Sequence, residues 1–388
     1  MKKIVICLAF IFTAQNVLGA GFEKILTEDS SVQTAIAINH DIMIHSQNVE
    51  YARQRINESK ALYFPKIDMN FNISKFNNSE PVVLFGEVSP SPVFLPSENK
   101  DIFYSARISV WQNVYSGGRI KTTNKLAEIN MGKVKNEENL VKNRVVNKVK
   151  RAFNDCLYFK EQIKFYSDLS LKKSKSDKNE AGQNSYKFDA AQYNYEKALL
   201  ELLSAIGLEL NTIADVTGEF SPKIKNLELN QCLLLAYQFK PEMQMTQYQE
   251  TLDGLMVNLL SMQRFPTISI GAAQEWLGDR VIGDESSWYV TVNANIPIFD
   301  GGSAFARLKQ GRIGAREATL KRSKMEEEIR LQVSKSFLDY SFWKHQAAKV
   351  KLLDRTENYT ESDLELIYNL NKSYYALELA IGVQLDLY

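Results

Sequence analysis

Residues that could carry chemistry are few in this chain. Of three histidines, His40 and His45 stand five apart in a helix-patterned run and so lie on different faces, while His345 stands alone in another such run. No HExxH, GxSxG or paired CxxC occurs, which leaves no zinc pair, nucleophile elbow or redox dithiol. Cys7 falls in an N-terminal apolar run with no small-residue lipobox before it, and Cys156 and Cys232 either pair or serve as buried small hydrophobes. Carboxylates abound only as solvated helix faces. The reading is a protein that is not an enzyme and uses no cofactor and no metal. Lys plus Arg number 47 against 46 Asp plus Glu, a balance that gives no electrostatic reason to expect nucleic acid as a partner.

The other candidate residues are backbone devices. Tyr115-Ser116-Gly117-Gly118 and Phe299-Asp300-Gly301-Gly302 each follow an alternating segment and open a long, proline-free, helix-patterned run. Neither has the GxGxxG or GxxxxGK[ST] spacing of a phosphate cradle, so each reads as a strand-to-helix joint. Paired glycines supply backbone angles that a side chain forbids, and Ser116 or Asp300 is placed to cap the following helix. Pro65 and Pro266, each after a phenylalanine, mark the opposite joint, from helix to strand.

These joints belong to a tandem repeat. Phe64-Pro65 matches Phe265-Pro266 at an offset of 201, the glycine pairs match at 184, and Ala205-Ile206-Gly207 matches Ala380-Ile381-Gly382 at 175. Residues 1–20 have the layout of a secretory signal peptide, with Lys2 and Lys3 before Ile4 to Phe12 and small residues at Gly19 and Ala20. Residues 21–227 form the first repeat and 228–388 the second. The first is expected to hold one helix from about Ser31 to Tyr63, strands at 66–75 and 101–114, and a helical hairpin over 119–210. The second holds strands at 267–276 and 288–298 and a hairpin over 303–385. Residues 76–100, with four of the nine prolines, read as a long loop.

The patterned runs after the joints approach sixty residues, a rod of roughly 90 Å at ~1.5 Å per residue. Such lengths mean coiled coil, membrane span or helical repeat, and the charge on these runs excludes lipid. Ile67-Asp68-Met69-Asn70-Phe71-Asn72-Ile73 alternates without a fault: Ile67, Met69, Phe71 and Ile73 are expected to meet lipid, and Asp68, Asn70 and Asn72 a lumen. Trp111, Trp276 and Trp288 stand at strand ends, where a membrane-interface girdle would place them. An open sheet edge cannot persist in lipid and four strands fall short of the ~8 of the smallest barrels, so the chain must assemble with copies of itself.

With its signal peptide, Phe-Pro joints, Ser-Gly-Gly and Asp-Gly-Gly joints, the matched blocks beginning at Phe153 and Phe337, and its duplication, the chain resembles the TolC-type outer membrane efflux channels from about Ser31 to Leu385. The resemblance implies an α plus transmembrane β fold: a homotrimer whose twelve-stranded barrel continues into a periplasmic tunnel of coiled-coil α-helices. It implies an exit duct for efflux or type I secretion in a Gram-negative outer membrane, with outer membrane lipid, a periplasmic adaptor (membrane fusion) protein and an inner-membrane pump or ABC exporter as partners. The loops at 76–100 and 277–287 would face outward. The hairpins beyond the Phe153 and Phe337 blocks are shorter than the family's, and its Ala-Gly turn is matched only by Glu180-Ala181-Gly182. A periplasmic coiled-coil adaptor shares the long helices and the export signal, but would flank one hairpin with soluble β-domains rather than precede each with a strand pair of membrane length.

Charge marks the hairpin tips. From Leu171 to Lys187, Lys172, Lys173, Lys175, Lys178 and Lys187 against Asp177 and Glu180 give a net +3; from Asp354 to Leu366, Arg355 against Asp354, Glu357, Glu361, Asp363 and Glu365 gives a net −4. If the tips alternate around a tunnel mouth, Lys172, Lys173 and Lys175 of one face Glu357 and Glu361 of the other as an electrostatic latch. By resemblance, Asp363, Glu365 and Asp189 are the candidate acidic residues of the periplasmic aperture.

Overall fold

The structure, a computed structural model, describes residues 24–75, 83–86, 89–94, 102–172, 178–278, 285–350 and 359–385. A short strand, β1 (Lys24–Leu26), leads into α1 (Glu28–Ile38) and α2 (His40–Ala61). Then come β2 (Lys66–Lys75), β3 (Val83–Gly86), β4 (Ser89–Phe94), β5 (Ile102–Tyr115), α3 (Arg119–Lys172) and α4 (Lys178–Ile206). The second half runs β6 (Ala214–Val216), α5 (Leu229–Phe239), α6 (Pro241–Ser261), β7 (Thr267–Gly278), β8 (Glu285–Asn295), α7 (Ser303–Lys349) and α8 (Glu361–Ile381). At ~1.5 Å per residue, the 54 residues of α3 and 47 of α7 make rods of about 80 and 70 Å. Among the described residues no helix is long and apolar enough to cross a membrane.

Several sequence expectations need correction. The helix expected from Ser31 to Tyr63 is two helices, broken at Asn39, whose ψ of 127° is extended and whose side chain accepts from the Asp41 amide at 3.0 Å to cap α2. The second repeat breaks at Lys240, 201 residues on, with ψ 122°, and Pro241 starts the next helix. Asn39 and Lys240 then make the same bond: Asn39 Nδ2 donates to the Ala205 carbonyl and Lys240 Nζ to the Ala380 carbonyl, each at 2.9 Å. Those carbonyls stand two residues before Gly207 and Gly382, which end α4 and α8 with φ of +93° and +84°. A Cβ on Gly382 would sit 3.0 Å from Lys240 Cα, and one on Gly207 3.3 Å from Asn39 Cα. Glycine is therefore required twice over, for its dihedral and for the close approach of a broken helix.

Around this junction the core gathers Phe153, Leu202, Leu203, Ile206, Tyr340, Tyr374 and Tyr375, with the parallel pair β1–β6 along its side. That pair was not legible in the sequence. Buried Lys150 and Glu378 form an ion pair of 3.3 Å inside it. Cys156 and Cys232 are buried free thiols, and burial pushes the Cys156 thiol up.

Residues 76–100 contain a β-hairpin, β3 paired with β4, where a loop was expected; the rest of that stretch lies outside the described residues. The last strand covers Glu285–Asn295 rather than 288–298, because Pro297 has no N–H to give a ladder. Glu180-Ala181-Gly182 is helical, inside α4, and not a hairpin turn, and α4 ends at Ile206 rather than 210.

Candidate channel face and hairpin contact

Four strands form one antiparallel sheet in the order β2-β5-β7-β8. Directly opposed residues share a face, so the register sorts the side chains. One face carries the rows Ile67–Val110–Ala272–Val290, Met69–Ile108–Gln274–Trp288 and Phe71–Ala106–Trp276–Ser286. Its large members, Met69, Ile73, Trp288 and Val292 among them, are strongly exposed in a single copy. The opposite face carries Asp68–Ser109–Ala273–Tyr289 and Asn70–Arg107–Glu275–Ser287. In the second of these rows Arg107 Nη2 donates to Glu275 Oε1 at 2.8 Å, and both side chains are mostly covered. Such a pair belongs on a wet face, where the remaining lone pairs and donors still find partners.

Trp111 is corrected by the same register. It lies on the polar face, opposite Lys66 and Gly271, and a Cβ on Gly271 would meet its ring at 2.5 Å. Only Trp276 and Trp288 are on the apolar face.

At the joints, all four glycines have positive φ: +61° and +83° at Gly117 and Gly118, +69° and +86° at Gly301 and Gly302. Asp300 accepts from the Gly302 and Ala304 amides at 3.1 and 2.6 Å, and Ser116 Oγ accepts from the Ile120 amide at 3.4 Å. The chain turns from sheet to rod at these points. Pro65 and Pro266 stand directly before β2 and β7.

Among the described residues, the two hairpins meet near their tips through one residue of each charge. Lys187 on α4 donates to both Glu361 oxygens on α8 at 2.9 Å, and the buried Tyr166 hydroxyl on α3 donates to Glu361 Oε1 at 2.8 Å. These hydrogen bonds, first from Lys187 and then from Tyr166, hold the Glu361 carboxyl below its usual range. Burial and the neighbouring carboxylate push the Tyr166 phenol up. Sequence reasoning selected Glu361 but paired it with other lysines and passed over Tyr166. Lys173, Lys175 and Glu357 lie outside the described residues, and for Lys172 only the backbone is described.

Of the candidate aperture acids, Glu365 and Asp189 are exposed. Asp363 is 2 % exposed and accepts from the Thr360 amide and hydroxyl at 2.9 and 2.8 Å, as the reciprocal partner in the capping box of α8. Its carboxylate is committed to starting the helix.

A depressed carboxylate pKa stabilises the fold above its unfolded value and loses that contribution as pH falls through the folded one. The Lys187–Glu361 coupling is therefore expected in full at neutral pH, at ~0.5–1 kcal/mol for a partly exposed pair. A double-mutant cycle of Lys187→Met and Glu361→Gln, read by denaturant unfolding in detergent, should show it at pH 7. It should vanish once pH drops well below the ordinary glutamate value of 4.5. Coupling that persists there would mean the contact is not ionic.

No protein-family model matches this chain, and no curated protein does. Solved structures match its fold over nearly its whole length. The outer-membrane channel OprN aligns with a TM-score of 0.69 at 13 % identity, covering 92 % of this chain and 90 % of that one. A membrane protein from Pseudomonas aeruginosa aligns at 0.69 and 11 %, over 91 % and 92 %. The MtrE outer membrane channel of Neisseria gonorrhoeae, in its open state, aligns at 0.64 and 12 %, over 92 % and 89 %.

Proposed function

We propose that this chain, which has the protomer fold of outer membrane channels, is a passive exit duct across the outer membrane and the periplasm. It works with an inner-membrane pump and a periplasmic adaptor, in efflux or type I secretion. The observation that carries this reading is the β2-β5-β7-β8 sheet, with one apolar and one polar face and both outer edges unpaired among the described residues. A soluble protein would cover such an apolar face with its own elements, whereas a lipid-embedded barrel leaves it bare and joins the edges to further copies. Three copies give twelve strands, a homotrimer with the polar rows of Asn70, Arg107 and Glu275 turned to the lumen. Nothing in this role asks for catalysis, a cofactor or a metal.

A periplasmic adaptor is disfavoured by the same sheet. Met69→Arg sets an arginine on the face assigned to lipid, at a cost of ~2–4 kcal/mol near the midplane, whereas Asn70→Arg points into water and costs much less. The wild-type chain and Asn70→Arg should need detergent to leave the outer membrane and run as an SDS-resistant oligomer until boiled, while Met69→Arg loses that oligomer. Equal tolerance of the two substitutions, or release of the wild type by salt alone, would refute the channel.

The tips are the proposed gate. Lys172, Lys173 and Lys175 with Glu357, and Lys187 with Glu361, act as a latch between a basic and an acidic hairpin, opened when an adaptor docks. Each exposed pair contributes only ~0–1 kcal/mol, but three copies repeat it and low salt strengthens it. Glu365 and Asp189 are the proposed aperture acids in place of the capping Asp363. In a planar bilayer, reversing Lys172, Lys173 and Lys175 to Glu should raise conductance most at low ionic strength, and Glu365→Gln with Asp189→Asn should lower cation selectivity. Unchanged conductance at low salt would end the latch.

A further inference from the structure

The boundary between the two repeats lies inside one chain, and the duplication gives each of its two halves a counterpart elsewhere in the chain. At the inner boundary, β5 of the first repeat pairs with β7 of the second, and the Gly117 joint lies against Phe265, where a Cβ on the glycine would be 2.5 Å from that of the ring. Farther along the rod, α3 packs on α8, with Tyr158 stacked on Tyr368 at 4.4 Å between ring centroids and Asn147 Nδ2 donating to the Tyr375 carbonyl at 2.6 Å.

Each half has a counterpart facing outward. Adding 184 takes β5 and α3 onto β8 and α7; subtracting 201 takes β7 onto β2, and subtracting 175 takes α8 onto α4. The Gly117–Phe265 contact becomes Gly301 against Phe64. Within one copy nothing lies within 4 Å of a Cβ built on Gly301, and Phe64 is 70 % exposed. The stacked tyrosines become Phe342 and Tyr193, which are 52 % and 67 % exposed, and the Asn147–Tyr375 contact becomes Leu331 and Leu200, both exposed. Three contacts chosen for being well made inside the chain thus map onto three sets of bare side chains or backbone. Four of the six partners are large and apolar. Exposed apolar groups that align in this way mark an interface with a protein surface.

The strand ladder obeys the same transfer. The Ser109↔Ala273 and Val110↔Ala272 pairs of β5 and β7 map onto Asn293↔Asn72 and Ala294↔Phe71 between β8 and β2. The transfer was not required to keep faces apart, yet it sets polar residue against polar and apolar against apolar. A slip of one residue would mix them along the whole strand. The inner ladder shifts register between Asn113 and Tyr115, and the residue equivalent to Asn113 is Pro297, which has no N–H for a ladder bond.

We propose that β8 and α7 of one copy dock on β2 and α4 of a second copy in this register, with Asn293 opposite Asn72, Gly301 under Phe64, and Phe342 against Tyr193. The seam rests on the reading that the sheet closes with further copies of this chain, and goes beyond it by fixing which residues meet. It keeps an aromatic pair at both kinds of boundary but makes them chemically different at one place: Asn147 meets the Tyr375 backbone within a copy, and Leu331 meets Leu200 across copies.

The test is oxidative cross-linking in native outer membranes. Asn72→Cys with Asn293→Cys in the same chain should give a boiled, non-reducing ladder ending in a closed covalent ring, because directly opposed strand residues lie within disulfide range. The native Cys156 and Cys232 are buried and leave the background low. Asn70→Cys with Asn293→Cys and Asn72→Cys with Asn295→Cys, each two residues out of register, should give almost none. A separate variant, Tyr193→Cys with Phe342→Cys, should link through a short bismaleimide and reports on the seam even where strand variants fail to insert. An SDS-resistant oligomer that links only in a shifted pair, or not through the helix pair, overturns the seam and leaves the channel standing. A chain that runs as single copies in mild detergent and links in no variant overturns both.

Discussion

A four-stranded sheet that is apolar on one face has to bury two things at once, its bare face and its two open edges. Water can satisfy the edges but not the face, and lipid can satisfy the face but not the edges. Only closure in lipid satisfies both. Closure needs more strands than one copy supplies, and on the proposed reading the joints hold four strands at the angle where copies meet. The glycine pairs at 117–118 and 301–302 set the turn from sheet to rod with dihedrals no other residue adopts readily. The rods α3 and α7 carry that geometry away from the sheet.

Distance from the sheet raises a second constraint: helices that run alongside the rods must be anchored to them. Both repeats solve this by breaking a helix at one residue and seating the break on the positive-φ glycine that ends another helix. Asn39 uses a neutral amide and Lys240 a buried ammonium, but the accepting carbonyls are equivalent. Lys240 also donates to Gln332 at 2.7 Å, and burial pulls its pKa down. The duplicated geometry has outlasted the identity of the side chain that makes it.

How much of this was legible in the sequence depended on the range of the signal. The joints were readable because Gly-Gly and Phe-Pro act locally, and the two faces of β2 because the alternation from Ile67 to Ile73 is unbroken. Asn39 was missed because a single cap inside a helical pattern carries no periodic signal, although Pro241 at the equivalent place in the second repeat would have revealed it through the 201 offset. Trp111 was misassigned by its position at a strand end, when its parity against Val110 already placed it on the polar face. Arg107–Glu275 and Tyr166–Glu361–Lys187 could not be read at all, since both depend on register between segments far apart in the chain. Asp363 stood out as an acid after a turn, but an acid three residues past Thr360 is also the signature of a capping box, and the local role took the carboxylate.

The central claim is that four strands per copy close a barrel with two further copies. Native mass spectrometry of the chain extracted from outer membranes in mild detergent counts the copies directly. The account predicts three, released together as one species. A single copy, or a closed pair whose eight strands already complete a barrel, would contradict it.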